Sequence, residues 1–165
     1  MTRRLIGVPL APGHRRLLEV LLQDRLVART LGGLSRMPSA QAVLRRDLGH
    51  WRRHGFGPWL FFDRASGAFA GRCGLRWRTV TGRPEVELAY AFLPAFWSRG
   101  IASEAASSVV RTAFEDLGLD HLTGFTLTTN RASQRVLEKT GFRYQSGLFH
   151  AGLPHVLYRC WPSVR

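Results

Sequence analysis

Residues 101–117 place apolar side chains at Ile101, Ala105, Ala106, Val109, Val110, Ala113, Phe114 and Leu117, the 3.6-residue spacing of one helix face. Gly118 stands where a left-handed residue closes such a helix. The stretch Glu85–Leu93 has the other period: Val86, Leu88, Tyr90 and Phe92 on one face, Glu85, Glu87, Ala89 and Ala91 on the other. Pro94 stops it, having no N–H to give to a ladder. A half-buried strand that runs straight into an amphipathic helix needs a sheet with helices packed on it, so the class is mixed α/β.

Around this pair the spacing predicts a strand over 2–8, a helix over 14–23 built on Leu17, Leu18, Leu21 and Leu22, and a helix from Pro38-Ser39 to Gly55 with Ala40, Val43, Leu44, Leu48 and Trp51 on one stripe. Strands follow at 59–63 and 69–77, joined by the turn Arg64-Ala65-Ser66-Gly67. In the second of them Cys73, Leu75 and Trp77 face a core, while Arg72 and Arg76 lie on a face that carries guanidiniums. His121–Leu127 reads as a strand, Asn130 as the cap of a helix closed by Gly141, and Phe142–Leu148 and Leu153–Trp161 as two last strands. The expected order is β-α-α-β-β-β-α-β-α-β-β in a single domain over 1–165, with no repeat or linker inside it.

Net charge narrows the partners. The chain carries +13, and residues 1–83 hold 16 arginines against four acidic residues, so nearly all the excess lies in the first half. A codon-driven arginine bias and an acidic or RNA-associated partner both remain readings of that excess. No run is long and apolar enough for a membrane span, and no signal-peptide core follows the start. Two cysteines without zinc-site spacing argue against a disulfide framework or a metal, and a reducing cytoplasm is the expected compartment. His50 and His54, four apart on one helix, are read as flanking a loop, and Cys73 as a buried structural thiol.

Phe96-Trp97-Ser98-Arg99-Gly100-Ile101-Ala102-Ser103-Glu104 leads into the long helix. The first helical turn leaves N–H groups without partners and carries the positive end of the macrodipole. With a glycine and small residues there, a phosphate or pyrophosphate can approach the backbone.

Glu85-Val-Glu-Leu-Ala-Tyr-Ala-Phe92, Phe96-Trp-Ser-Arg-Gly-Ile-Ala-Ser-Glu-Ala105 and Asn130-Arg-Ala-Ser-Gln-Arg-Val-Leu-Glu-Lys-Thr-Gly-Phe142, taken in order, resemble the GNAT N-acetyltransferases, most of all the branch of ribosomal-protein alanine acetyltransferases of RimJ/RimL type. The resemblance covers nearly the whole chain. It implies a central, mostly antiparallel, twisted seven-stranded sheet with helices on both faces, and acetyl-CoA between splayed strands 4 and 5. It departs from the usual loop pattern at Trp97, which takes the first place, and at Ser98, which replaces a frequent glycine.

The resemblance further implies that the pantetheine arm pairs with backbone near Phe92 and Leu93, that the pyrophosphate sits on N–H groups of Arg99, Gly100, Ile101, Ala102 and Ser103, and that Asn130 contacts the arm. Arg131, Arg135 and Lys139 are candidates for the nucleotide phosphates. The amine must lose a proton, and Glu87 is the expected base, with Glu85 or water as rivals. N–H groups of Leu88 to Tyr90, at a bulge in the strand, would hold the oxyanion. Ser133 is the expected donor to the leaving sulfur, with Tyr144 as the alternative acid. Phe56, Trp59 and Arg72 would border the acceptor groove. The implied activity is transfer from acetyl-CoA to a primary amine of a protein or peptide N-terminus, with an amino acid or small amine as the alternative acceptor. A protein of another class, binding RNA or ribosome without catalysis, is the third reading. No metal and no membrane are involved, and the protein would be a monomer or homodimer.

Overall fold

The computed structural model describes residues 2–162. Seven strands form one sheet: β1 (Leu5–Pro9), β2 (Pro58–Asp63), β3 (Phe69–Val80), β4 (Arg83–Phe92), β5 (Leu122–Leu127), β6 (Arg143–His150) and β7 (Leu153–Cys160). They lie in the order β1-β2-β3-β4-β5-β7-β6, and only β4 and β5 run parallel. The connections carry α1 (Arg15–Gln23), α2 (Arg25–Thr30), α3 (Ala40–His54), α4 (Ile101–Arg111) and α5 (Arg131–Lys139).

Helices cover both faces. Ile101, Ala105 and Ala106 of α4 and Leu137 of α5 bury against Cys73, Leu75 and Leu88 on one side, and Leu18, Leu22, Val43 and Leu44 of α1 and α3 pack under Leu60 on the other. Each fully buried leucine or isoleucine contributes about 1.5–3 kcal/mol of transfer free energy, so the apolar stripes of the helices determine their faces. Ser39 caps α3 by accepting the Ala42 N–H at 3.1 Å, Gly55 ends it at φ 72°, and Asn130 caps α5 by accepting the Ser133 N–H at 3.1 Å.

Four details depart from the expected pattern. Helix α2 was absent from it; six residues with Val27 and Ala28 turned inward are too few to show a period, and Asp24, which accepts the Val27 N–H at 2.9 Å, is their one local signal. The long helix changes at Thr112–Asp116 into a single π turn, so Leu117 lies at the surface. Strand β3 is covered on both faces: Arg72 is buried under α3, while Trp77, expected inside, is 43% exposed. The β3–β4 register is continuous from Val80↔Arg83 to Gly71↔Phe92, so the bulge expected near Leu88 to Tyr90 is not formed.

Candidate active site

Strand alternation dictates what β4 offers to β5. The Leu93 N–H donates to Ala70 O at 2.8 Å, which makes Phe92↔Gly71 a non-hydrogen-bonded pair of the antiparallel ladder. By alternation the N–H and C=O groups of Leu88, Tyr90 and Phe92 then point away from β3, toward β5. The two strands meet at one pair, Glu87↔Thr123, which uses the inner end of that edge. From Tyr90 outward the edge is open, and a cavity of about 650 Å³ runs past it. At the outer end the Trp97 Nε1–H donates to Phe92 O at 2.6 Å. Of the expected oxyanion donors, Ala89 belongs to the β3 ladder and Leu88 to the bridge, and the Tyr90 N–H is the first one free.

One wing of the cavity reaches the start of α4. Ser98 and Gly100 both have left-handed φ (56° and 73°), and this double turn lays Gly100, Ile101, Ala102 and Ser103 along the cavity wall. Arg4, just before β1, supports the loop from behind: its guanidinium donates to Arg99 O at 2.8 Å and to Glu104 Oε2 at 2.7 Å. Sequence reasoning passed over Arg4, and a pairing across a hundred residues leaves no local signal. The Arg99 side chain turns outward over the Phe96 ring, and neither it nor Leu93 lines the cavity. Arg135 and Lys139 line it, while Arg131 donates to Gln134 Oε1 at 3.1 Å. The Asn130 side chain is engaged twice, as the α5 cap and by donation to Thr30 O at 3.2 Å, so it ties α5 to α2.

At the centre, Tyr90 and Ser133 are joined. The Tyr90 hydroxyl lies 2.9 Å from both Ser133 O and Ser133 Oγ. If it donates to the carbonyl, Ser133 Oγ–H donates to Tyr90, and the pair is a single hydrogen-bonding unit. Burial, partly offset by the Ser133 contact, pushes the Tyr90 phenol up, so it offers a hydrogen bond rather than a proton at neutral pH. Tyr90 was expected only for its backbone. Tyr144, by contrast, is 59% exposed on β6, edge-on to Tyr158, and is not among the lining residues.

The other wing opens on the α1–α3 face of the sheet. Glu87 is buried there, its Oε2 taking Arg76 Nε at 2.8 Å and Arg78 Nη1 at 3.5 Å. Its Oε1 makes no hydrogen bond among the described residues and is free to accept an N–H. Glu85, two residues away on the same face, is held by Arg159 of β7 at 3.0 and 2.6 Å, so it clamps β4 to β7 across β5. Arg72 lines the wing, with Nη1 on Asp47 at 3.1 Å. Phe56 and Trp59 do not line it: Phe56 packs on His50 and His54, and Trp59 against Trp51. His50 is fully committed, with Nδ1 on Phe56 O at 2.8 Å and Nε2 accepting the Trp77 N–H at 2.9 Å. Cys73 is buried, and burial raises its thiol far above the reactive range. Among the described residues no three His, Cys, Asp or Glu side chains are grouped to hold a metal ion, and no helix is long and apolar enough to cross a membrane.

A gap between two parted strands that opens at one end on a helix start and at the other on a buried carboxylate has the shape to admit a slender carrier with an anionic end. Residues 4–143 match the family described as acetyltransferase (GNAT) domain, and the chain belongs to that family of N-acetyltransferases, whose fold uses acetyl-CoA. It is 31% identical over 161 residues to the FsC-acetyl coenzyme A-N(2)-transacetylase of Aspergillus fumigatus, covering 90% of this chain and 66% of that one. A second relative, YkkB of Bacillus subtilis, is 28% identical over 105 residues, 64% of this chain and 61% of its own length. The chain thus spans less than two thirds of these relatives. Among solved structures, a GnaT-family acetyltransferase from Bordetella pertussis superposes with a TM-score of 0.83 at 23% identity (97% of each chain), and an acetyltransferase from Agrobacterium tumefaciens with 0.81 at 26% (96% and 91%). RimL, a ribosomal L7/L12 alpha-N-protein acetyltransferase solved with coenzyme A, shares the fold at 14% identity and a TM-score of 0.76, covering 97% and 95%.

Proposed function

We propose that this protein is an acetyl-CoA-dependent N-acetyltransferase of RimJ/RimL type that acetylates the N-terminal amine of a protein or peptide in the cytoplasm. The observation that carries the reading is that one cavity contains the free edge of β4, the start of α4, the Tyr90–Ser133 pair and the unengaged oxygen of Glu87. Acetyl-CoA supplies a thioester whose acetyl group passes to the amine with release of the CoA thiol. The open N–H and C=O groups of β4 suit the amides of a pantetheine arm, and the N–H groups at Gly100 to Ser103 suit its pyrophosphate. Arg135 and Lys139 stand within reach of nucleotide phosphates.

Each protein group then has one task. Glu87 Oε1 accepts the amine N–H and takes the proton directly or through water. The Tyr90 N–H faces the developing oxyanion. Ser133 Oγ–H turns to donate to the sulfur as it leaves, while the Tyr90 O–H donates to Ser133 Oγ behind it; Tyr144, outside the cavity, is the weaker choice. Free amino acids and other small amines remain the alternative acceptors, supported by the N(2)-transacetylase name of the Aspergillus relative.

A panel of peptides and small amines, incubated with acetyl-CoA and read by mass spectrometry for one added acetyl group, tests the reading. Peptides should gain it at the α-amine, and absence of CoA release across the panel overturns the proposal. Glu87→Gln should lower kcat by about 10²–10⁴-fold at neutral pH, with recovery as pH rises and the amine deprotonates without help. A response that is flat with pH would transfer the role to water.

A further inference from the structure

The α1–α3 wing is far more cationic than a cavity for an amine needs to be. Five guanidiniums face it, those of Arg36, Arg46, Arg72, Arg76 and Arg78, against two carboxylates, Asp47 and Glu87. Asp47 is 1% exposed and lies behind Arg46 and Arg72, so the surface presented to a ligand is more positive still. Cations of this kind repel an incoming ammonium group, and a lining in which five guanidiniums outnumber the carboxylates disfavours an acceptor that carries net positive charge.

The pairing also leaves donors over. Arg76 spends Nε on Glu87, Arg72 spends Nη1 on Asp47, and Arg46 spends Nε on Asp47. Arg36 Nη1 donates to Ala151 O, which brings the segment before α3 against the β6–β7 turn at the rim. Among the described residues no buried side-chain nitrogen or oxygen lacks a partner, so the unpaired guanidinium N–H groups of Arg72 and Arg76, two residues that line the cavity, keep some solvent exposure. His150 adds no charge: Arg78 Nη2 meets its Nε2, a guanidinium can only donate, and the imidazole must therefore accept and be neutral. Burial, with Arg78 and His155 nearby, likewise lowers its pKa.

Phosphates of a CoA carrier do not account for these arginines. They lie on the face opposite α4, and Arg76 is paired with Glu87, five residues along β4 from Phe92 at the other end of the open edge. At about 3.4 Å per residue that is roughly 17 Å. Arg76 faces Glu87 directly across the β3–β4 ladder and Arg72 faces Ala91, with Ala89 and Ala91 leaving floor space between them. Arg72 and Arg76 stand four residues apart on β3, about 14 Å along the strand, so an anion held between their guanidiniums lies roughly 7 Å along the strand from the pair at which Glu87 receives the amine.

From this we infer that the acceptor is an acidic amine, one whose reactive nitrogen is accompanied within a few bonds by a carboxylate that the Arg72–Arg76 pair binds, with Arg46 and Arg36 drawing in further negative charge at the rim. The inference rests on the N-acetyltransferase reading and names its substrate class. The carboxylate can belong to a free amino acid or to an acidic side chain beside a peptide N-terminus, and polyamines are excluded.

The test compares matched acceptors that differ only in charge: Ser-Asp-Glu and Ala-Glu-Asp peptides against their Asn/Gln counterparts, and free glutamate against glutamine α-amide. With wild-type protein kcat/KM should favour the acid over the amide by about 10- to 100-fold, and Arg46→Gln and Arg36→Gln together should reduce that ratio several-fold. A ratio of two acceptors on one preparation is independent of the fraction folded, so Arg72→Gln can be read in the same way even if it folds poorly. Preference confined to the peptides assigns the carboxylate to a side chain, and preference confined to glutamate assigns it to a free amino acid; both support the inference. A wild-type ratio within about 2-fold of unity, or a ratio that the arginine variants leave in place, overturns it while acetyl transfer itself stands. If no amine is acetylated at all, the N-acetyltransferase reading fails, and the anion site is judged by succinate binding: a rise in Tm for wild type that Arg72→Gln abolishes supports it, and no rise overturns it.

Discussion

A single carboxylate, Asp47, holds more of the acceptor wing than its size suggests. It is buried in the middle of α3, where Arg46 Nε meets one oxygen at 2.7 Å and Arg72 Nη1 the other at 3.1 Å. Burial pulls the Arg72 guanidinium down to about 10, still protonated at neutral pH. Asp47→Ala would strand that cation in the interior, and a loss of about 3–5 kcal/mol in stability by urea unfolding is expected. The double replacement Asp47→Leu with Arg72→Met should recover most of the loss, because neither charge is then left alone. Asp47 was legible in part: it lies four residues after Val43 and four before Trp51, on the apolar stripe of the helix, where an exposed acid does not belong. What it faces was not legible, since α3 and β3 meet only through the fold. Glu87 is the reverse case, with a face that followed from alternation and a double guanidinium pairing that did not.

Elements show where a local reading works and where it stops. Strands, caps and the long helix carry their own signals, so β4, α4 and α5 stand close to where spacing put them. Contacts between distant elements carry none, and the loop before α4 depends on one. Arg4 spans from the edge of β1 to Arg99 O and Glu104, so the left-handed turn at Ser98 and Gly100 is braced from the far end of the sheet. Arg4→Gln removes a charge-assisted bond and loosens the N–H groups at Gly100 to Ser103. The KM for acetyl-CoA should rise by about 10-fold, with less effect on kcat, in steady-state assays at varied acetyl-CoA. An unaltered KM would mean that Ser98 and Gly100 hold the loop without support. The order of the elements followed, apart from the short α2, from spacing, and the splay of the sheet was implied by resemblance, whereas the unbroken β3–β4 register and the Trp97 bond to Phe92 needed coordinates.

At the scale of the whole molecule, acid should undo the structure in two stages. Glu85 is held below its ordinary 4.5 by the hydrogen bonds from Arg159, and Glu104 by those from Thr2 and Arg4, which outweigh its desolvation. Below about 4.5 the unfolded chain takes up protons that these folded carboxylates refuse, so the stability they contribute is whole above that pH and drains away beneath it. His50 and His150 both have pKa values lowered from 6.5 mainly by burial. The unfolded imidazoles therefore protonate first, and a smaller loss begins as pH falls through about 6.5. Urea midpoints measured from pH 8 to pH 3 should show both steps, and Arg159→Gln should shrink the lower one; a midpoint that is level from pH 7 to pH 5 would remove both histidines from the account. The parted pair at the centre has a consequence of its own. Unpaired strand edges normally invite other strands and, with them, aggregation. Here the bare edge lies in the middle of the sheet, its mouth capped where the Trp97 indole takes the last carbonyl, so a chain with bulky side chains on both faces has no way to dock along it. The protein can therefore keep half a ladder permanently open to a thin, amide-bearing arm without becoming sticky toward its own kind.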